Sequence, residues 1–245
     1  MKTLRNLIVA GSLALLTSLY SGKATADDFF KGLRGPTNWQ LDERIGYSKN
    51  EKGVESLTNN LIFKYWDGDK QGMFGFVNIP YKFVHSSKSF DNGLGDITLG
   101  MGPRGRIENF HWVTYGALTF PSGEKNIGND RLDAKVGATA TYLMFDKRYE
   151  IDGSFEYNFT GNNAPDEINS GVLVGKKVND KIRVGTGLTG LVKTDGSNVV
   201  NSRSILRYTF SPKLHIEVVG DLGLTSENIP KSKSISLYIR RNFSI

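Results

Sequence analysis

Histidine, serine and cysteine carry much of the nucleophilic and acid–base chemistry of enzymes, and this chain offers little of it. It contains three histidines, His85, His111 and His215, and no cysteine. A nucleophilic serine needs a base within hydrogen-bond reach, and the Gly-x-Ser-x-Gly segment that marks many such serines is absent. We therefore expect no catalytic residue, and enzymatic activity is the least favoured alternative.

Carboxylates could instead hold a metal ion, but their spacing does not favour that role. Residues 67–69 read Asp-Gly-Asp and are not followed by the remaining ligands of a calcium loop. Without cysteine there is neither a thiolate metal site nor a disulfide framework. The sequence thus predicts no metal site and no cofactor.

Most charged residues alternate with apolar ones. In segment 149–159, Tyr-Glu-Ile-Asp-Gly-Ser-Phe-Glu-Tyr-Asn-Phe, polar and acidic side chains share one face and apolar side chains share the other. A period of two is that of a β-strand between two different environments. The charges that we place on such polar faces are Asp96, Arg131, Asp133, Lys135, Glu150, Asp152, Glu156, Arg183, Glu217, Asp221 and Arg240.

The elements that position these charges are twelve alternating segments. They lie near 39–48, 54–66, 71–84, 94–103, 110–121, 131–145, 149–159, 168–178, 182–192, 199–210, 213–225 and 233–245. Short connections such as 67–70 and 179–181 alternate with longer ones such as 85–93 and 122–130, whereas 104–109 is long for its place. This pattern predicts an all-β fold, an antiparallel transmembrane β-barrel of about twelve strands with an apolar outside and a charged lumen.

The chain begins with the features of an exported protein. Lys2 and Arg5 precede an apolar stretch, and Ala24-Thr25-Ala26 is a small-residue cleavage site, so we predict a signal peptide over residues 1–26 that is cleaved after Ala26. We expect residues 27–38 to form a short N-terminal segment, either a loose tail or one that tucks Phe29 and Phe30 into the barrel. The barrel is expected over 39–245, in the outer membrane of a Gram-negative cell. Its last strand ends at Ile245, where such strands usually carry an aromatic residue.

Two interpretations of the charged lumen stay open. The charges could pair across strands and fill a narrow barrel, or they could line a passage for small solutes. The mature chain has a formal charge of +3, since 28 Lys and Arg (31 less the three in the leader) face 25 acids. This balance is too mild to predict a nucleic-acid partner. The expected partners are lipid, lipopolysaccharide, the outer-membrane assembly machinery and small solutes; a structural or adhesive barrel without transport is the alternative function.

Two short motifs carry a family resemblance. Residues 93–100 read Gly-Leu-Gly-Asp-Ile-Thr-Leu-Gly, and residues 120–124 read Phe-Pro-Ser-Gly-Glu. With this spacing, the chain resembles the family of the MetA pathway of phenol degradation, most clearly from Asn92 to about Thr160. The resemblance implies an outer-membrane protein that transports aromatic or other hydrophobic compounds. In physical terms both motifs have turn chemistry, so we expect a structural role for them, with Asp96 and Glu124 near one entrance.

Overall fold

The computed structural model describes residues 39–243, apart from 68–69, 87–88, 125–126, 146, 163 and 212. The signal peptide predicted over 1–26, the segment 27–38 and the terminal Ile245 lie outside the described residues. The strands are β1 (Trp39–Asn50), β2 (Glu55–Trp66), β3 (Gln71–His85), β4 (Phe90–Leu94), β5 (Thr98–Ile107), β6 (Phe110–Thr119), β7 (Asp133–Met144), β8 (Tyr149–Phe159), β9 (Glu167–Lys177), β10 (Ile182–Lys193), β11 (Asn198–Ser211), β12 (Leu214–Glu227) and β13 (Ser232–Phe243). The described residues contain no helix long and apolar enough to span a bilayer.

These strands form one closed antiparallel barrel. Successive strands pair with each other, apart from β4 and β5, and β1 pairs with both β2 and β13, which closes the sheet. β4 pairs with residues 81–85 of β3, and β5 pairs with residues 71–78 of the same strand. Together β4 and β5 therefore occupy a single position in the wall. The wall therefore has twelve positions, and the prediction of a twelve-stranded antiparallel barrel is confirmed.

The β4–β5 position differs from the predicted strand 94–103. The chain reverses tightly after β3, where the Ser86 amide donates to the Ser89 carbonyl at 2.9 Å, and β4 begins at Phe90 within the predicted loop. The strand then breaks between Leu94 and Thr98 and continues to Ile107, so the predicted long turn 104–109 was wrong. It is a two-residue turn in which Glu108 has a φ of 50°.

One end of the barrel has connections of two to four residues, and the other end has connections of four to thirteen residues. The end that carries Trp39 and Phe243, here called the terminal end, has the connections 67–70, 108–109, 145–148, 178–181 and 212–213. The opposite end, here called the loop end, has the connections 51–54, 86–89, 120–132, 160–166, 194–197 and 228–231. The longest of these is 120–132, here called the mouth loop.

The two faces of the wall have the predicted division. On β8, Ile151, Phe155 and Phe159 point outward and are exposed, while Glu150 and Asp152 are buried inside. Outward aromatic side chains form two belts, as interfaces between lipid and water favour. The belt at the terminal end contains Trp39, Tyr65, Phe110, Tyr142, Phe210 and Phe243, and the belt at the loop end contains Tyr47, Tyr81, Phe90, Phe120 and Phe159.

One polar pair departs from this division. Glu43 lies on the outward face of β1, midway between Trp39 and Tyr47, yet it is only 8% exposed. The outward-facing Asn59 on β2 donates its side-chain amide to the Glu43 carboxylate at 3.3 Å. Arg241 on β13 also faces outward, and its guanidinium lies 5.1 Å from the centroid of the Phe243 ring.

Candidate functional site: the barrel interior

Charged side chains from seven strands meet inside the barrel near its terminal end. We call this set the terminal-end network; its members are Asp42, Lys64, Glu150, Arg183, Arg207, Glu217 and Arg240. Alternation along each strand turns them inward, opposite outward residues such as Phe63 and Leu206. Asp42 and Glu217 are 1% and 2% exposed, so their charges depend on partners within the protein.

The carboxylates of this network each contact at least one cation. Lys64 Nζ lies 2.5 Å from Asp42 Oδ2, and Arg240 Nε lies 3.5 Å from the same oxygen. Arg207 donates to Glu217 Oε2 through Nε at 2.9 Å and Nη2 at 2.8 Å. Arg240 Nη2 lies 3.3 Å from Glu217 Oε1. Arg240 thus joins β1 to β12 through two carboxylates.

One contact of the network crosses a whole strand. Arg183 Nη1 on β10 lies 3.4 Å from Glu150 Oε2 on β8, although β9 runs between them. β9 carries Gly175 beside Glu150 in the register. Because glycine has no side chain, the two long side chains can meet over the inner surface of β9.

A chamber of about 410 Å³ lies near mid-height on the β6–β11 side of the interior. Its inward-facing lining is mostly uncharged and polar, with Glu156 and Arg203 as charges of opposite sign. The inward-facing lining residues are Tyr115, Thr139, Ser154, Glu156, Asn169, Thr189, Leu191, Val199, Asn201 and Arg203. A solute in this chamber would meet hydroxyl, amide, apolar and charged groups at close range.

Both charges of the chamber are held by neighbours. The Tyr115 hydroxyl donates to Glu156 Oε2 at 2.7 Å, and Lys135 Nζ lies 3.5 Å from Glu156 Oε1. Arg203 donates to both carboxylate oxygens of Asp221, at 2.7 and 3.1 Å. The tyrosine reaches Glu156 across β7 because Gly137 lies beneath it; a Cβ there would come within 2.4 Å of the Tyr115 ring.

Aromatic side chains continue from the chamber along the inner wall. Tyr115 meets Phe76 edge to face, with ring centroids 5.6 Å apart, and Phe76 lies 5.7 Å from Phe74. Trp66 and Val113 pack on this group, and the Arg104 guanidinium lies 5.9 Å from the Trp66 ring. The inner wall therefore carries an apolar strip as well as charged side chains.

A second apolar group lies on the opposite side of the interior. Leu173, Ile205 and Val219 are buried together, and Tyr238 packs against them. The Arg44 and Arg240 guanidinium groups lie over the Tyr238 ring, 5.1 and 5.5 Å from its centroid. The interior thus combines ion pairs with two apolar surfaces.

At the loop end, Asp96 occupies the break between β4 and β5. It is 7% exposed. Its Oδ1 accepts the Gly123 amide at 2.9 Å, and its Oδ2 accepts the Asn129 amide at 2.6 Å. The two motifs of the sequence therefore meet in space, and their residues shape the mouth loop, which agrees with the structural role expected for them.

A neighbouring loop, 160–166, is held by Asp166 in a similar way. Its carboxylate accepts the Thr160 amide at 2.8 Å and the Tyr157 hydroxyl at 2.9 Å. These hydrogen bonds, that of the Thr160 amide above all, hold the pKa of Asp166 below its usual value. Asp166 is half-buried, whereas Asp96 is buried.

The predicted interior residues all belong to the inward side of the wall or to its loop-end rim. Glu150, Asp152, Arg183, Glu217 and Arg240 lie in the terminal half, where Asp152 accepts the Thr141 hydroxyl. The predicted residues around the chamber, or between it and the loop end, are Lys135, Glu156, Asp221, Arg131 and Asp133. Arg131 Nε lies 2.9 Å from Asp133 Oδ1. That these side chains line a conducting path stays a prediction.

Sequence reasoning missed several interior residues. Lys64 follows from alternation, because it lies opposite the outward Phe63 and Tyr65. Arg207 also follows from alternation, because it lies four residues after Arg203 on the same face of the strand. Tyr115 could not be assigned, because β6 is apolar on both faces.

The candidates for enzyme or metal chemistry lie apart from one another. His85 is exposed at the loop end of β3, whereas His111 and His215 are buried in the terminal half. The His215 ring contacts Thr209 Oγ1 at 3.0 Å through Nδ1 and Asn242 Nδ2 at 3.4 Å through Nε2. Across residues 39–243, apart from the gaps given above, no three His, Asp or Glu side chains group closely enough to hold a metal ion.

Comparisons with known proteins agree with this architecture. The sequence profile of the family described as "Putative MetA-pathway of phenol degradation" matches residues 44–239. The structure is similar to an outer membrane channel from Pseudomonas putida F1, with a TM-score of 0.75 and 16% identity over 92% of this chain and 100% of that one.

Two further solved structures are similar over most of their length. For the NanC porin the TM-score is 0.58, with 11% identity over 83% of this chain and 100% of that one. For the CymD monoaromatic hydrocarbon channel it is 0.55, with 8% identity over 92% and 95%. At these identities the likeness shows a shared fold. No curated protein matches the sequence.

Proposed function

The chain belongs to the family of the MetA pathway of phenol degradation, and from that premise we propose that it is an outer-membrane channel for small solutes. The observation that carries the proposal is the chamber of about 410 Å³ inside a barrel whose outer surface is apolar. Channels select solutes through the groups that line them, and the chamber offers both a carboxylate and a guanidinium. A barrel with a purely structural role would not need a space of this size at mid-height.

We further propose that the solutes include hydrophobic or aromatic compounds. The strip from Tyr115 through Phe76 to Phe74 gives an aromatic ring a surface for edge-to-face contact. The hydroxyl and amide groups of the chamber could bind a polar substituent of the same solute. The similar CymD structure is described as a monoaromatic hydrocarbon channel, which supports this substrate class.

The proposed setting is the outer membrane of a Gram-negative cell, with the terminal end in the periplasm. In that setting the assembly machinery inserts the barrel after cleavage behind Ala26, and lipopolysaccharide surrounds the loop end. The mature protein should then begin at Asp27 and migrate differently on gels before and after heating. A mature protein found in soluble periplasmic extracts would contradict this setting.

Passage is tested with the purified barrel in planar bilayers and in vesicles. Phenol and cyclohexanol are a matched pair of probes, because they share a six-membered ring and one hydroxyl and differ in aromaticity. We expect stepwise ion conductance that phenol blocks at lower concentration than cyclohexanol does. Uptake into vesicles is compared with protein-free vesicles, since both probes also cross lipid unaided.

The outcomes separate the two parts of the proposal. Absence of conductance, together with uptake equal to that of protein-free vesicles, would overturn the channel and favour the structural or adhesive barrel. Equal block by phenol and cyclohexanol would leave the channel and overturn its preference for aromatic solutes.

A further inference from the structure

The Asp96 carboxylate binds both ends of one short stretch of the mouth loop. It accepts the amide of Gly123 at 2.9 Å and the amide of Asn129 at 2.6 Å. Hydrogen bonds to a charged acceptor are roughly twice as strong as neutral ones. Asp96 therefore links two backbone positions of a stretch in which the Ile127 and Gly128 amides also donate to the Glu124 carbonyl, each at 2.9 Å.

Two glycines make this close approach possible. A Cβ on Gly123 would lie 2.7 Å from Asp96 Oδ1 and 2.7 Å from the Gly128 Cα, and a Cβ on Gly128 would lie 2.5 Å from Asp96 Oδ1. Such distances exclude a side chain unless the backbone moves. The loop is thus built for contact with Asp96.

Further hydrogen bonds attach the start of the loop to the break in the wall. The Ile97 amide donates to Ser122 Oγ at 2.9 Å. The Glu124 amide donates to the Leu94 carbonyl at 2.8 Å, and Glu124 Oε1 accepts the Leu94 amide at 3.3 Å. These contacts fix the direction in which the loop leaves β6.

That direction is inward. Ile127 in the described part of the loop is only 6% exposed. Its carbonyl accepts Lys82 Nζ at 3.4 Å, and Lys82 alternates with Tyr81, which faces outward. Ile127 in the described part of the mouth loop therefore lies against the inner side of β3 at the loop end.

We propose that Asp96 is the positioning residue that holds the mouth loop across the entrance and so limits which solutes reach the chamber. This inference rests on the proposed channel function for its effect on passage, while the position of the loop can be measured without it. Asp96 does not contact the chamber residues; it acts through the loop.

The test uses the absence of cysteine from the chain. Ile127→Cys introduces a single thiol, and a water-soluble maleimide reports how often that thiol is exposed in vesicle-embedded protein. Adding Asp96→Ala should raise the labelling rate about tenfold or more, the factor expected when hydrogen bonds to a charged group are lost. Asp96→Asn keeps one acceptor oxygen and should fall between the two.

Asp91→Ala is the matched control. Asp91 lies on the inward face of β4, so its removal takes one negative charge from the same entrance. Its carboxylate makes no described hydrogen bond to the mouth loop. We expect labelling in this variant to stay at the rate of Ile127→Cys alone, while single-channel conductance rises in Asp96→Ala and not in Asp91→Ala.

Each outcome decides one part. Unchanged labelling in folded Asp96→Ala, or in Asp96→Asn if the alanine variant does not fold, would overturn the proposal that Asp96 holds the mouth loop. Faster labelling with unchanged conductance in a conducting protein would overturn the limit on entry. Faster labelling in Asp96→Ala, with no conductance in any variant or in the wild type, would support the role of Asp96 in holding the mouth loop and overturn the proposed channel function.

Discussion

The two ends of the interior give their buried carboxylates different kinds of partner. At the terminal end, Asp42 and Glu217 face lysine and arginine side chains from neighbouring strands. At the loop end, Asp96 faces backbone amides of the mouth loop. The first kind of partner is fixed by the register of the wall, and the second exists only while a loop stays folded.

This difference separates stability from access. Ion pairs between adjacent strands, such as Arg207 with Glu217, form part of the wall and should break only when the barrel unfolds. The amide contacts of Asp96 can break while every strand stays paired. We therefore expect substitutions at the terminal end to lower the free energy of unfolding. Substitutions at the loop end should instead change the exposure of the mouth loop and the passage of solutes.

The largest effect is expected from Glu217→Gln. It takes a carboxylate from between Arg207 and Arg240, both less than 5% exposed, and breaking a buried pair by removing one partner costs about 3–5 kcal/mol. The free energy of unfolding in urea, measured in lipid vesicles, should fall by that amount.

A paired substitution checks the cause. Arg207→Met combined with Glu217→Met removes the pair together, and buried pairs can often be replaced by apolar side chains with little loss. The double variant should therefore be more stable than Glu217→Gln. A loss below about 1 kcal/mol in Glu217→Gln, the range of exposed pairs, would end the distinction between the two halves.

A smaller effect distinguishes the acids of β8. Glu156 borders the chamber, and its side chain is 25% exposed, whereas Asp152 is buried against Thr141 in the terminal half. Glu156→Gln should weaken cation preference, because Lys135 then remains without its counter-charge. Asp152→Asn should leave the preference nearly unchanged.

Reversal potentials at about 10 mM salt, where screening extends over about 30 Å, measure this contrast. Gln and Asn are near-isosteric replacements, so both variants should fold. A larger shift in Asp152→Asn than in Glu156→Gln would move the selective region from the chamber to the terminal half.

The two halves also differ in how far the sequence reveals them. Alternation placed Glu150 and Asp152 inside, because period two is a property of the strand itself. It could not place Tyr115, whose strand is apolar on both faces, although Gly137 on the next strand permits its contact with Glu156.

The contacts of the mouth loop were harder still to predict from the sequence. Asp96 and Gly123 are separated by 27 positions, and a backbone amide leaves no mark in the side-chain pattern. The motifs indicated turns, but that the two turns bind each other follows only from the folded chain. Contacts made by strand side chains were thus more predictable than contacts made by loop backbone.

The smallest effect concerns Asp166, the half-buried counterpart of Asp96. Hydrogen bonds from the Thr160 amide and the Tyr157 hydroxyl hold its pKa below the usual value of 3.8. A lowered pKa in the folded state stabilises loop 160–166 fully above pH 3.8, and the stabilisation is lost as the pH falls through the folded-state pKa. Protection of the Thr160 amide, corrected for intrinsic exchange, should therefore fall in that acid range, while the ladder amides of β8 stay protected. Asp166→Asn should remove the pH dependence; a Thr160 amide that loses protection equally in that variant would show that another group controls the loop.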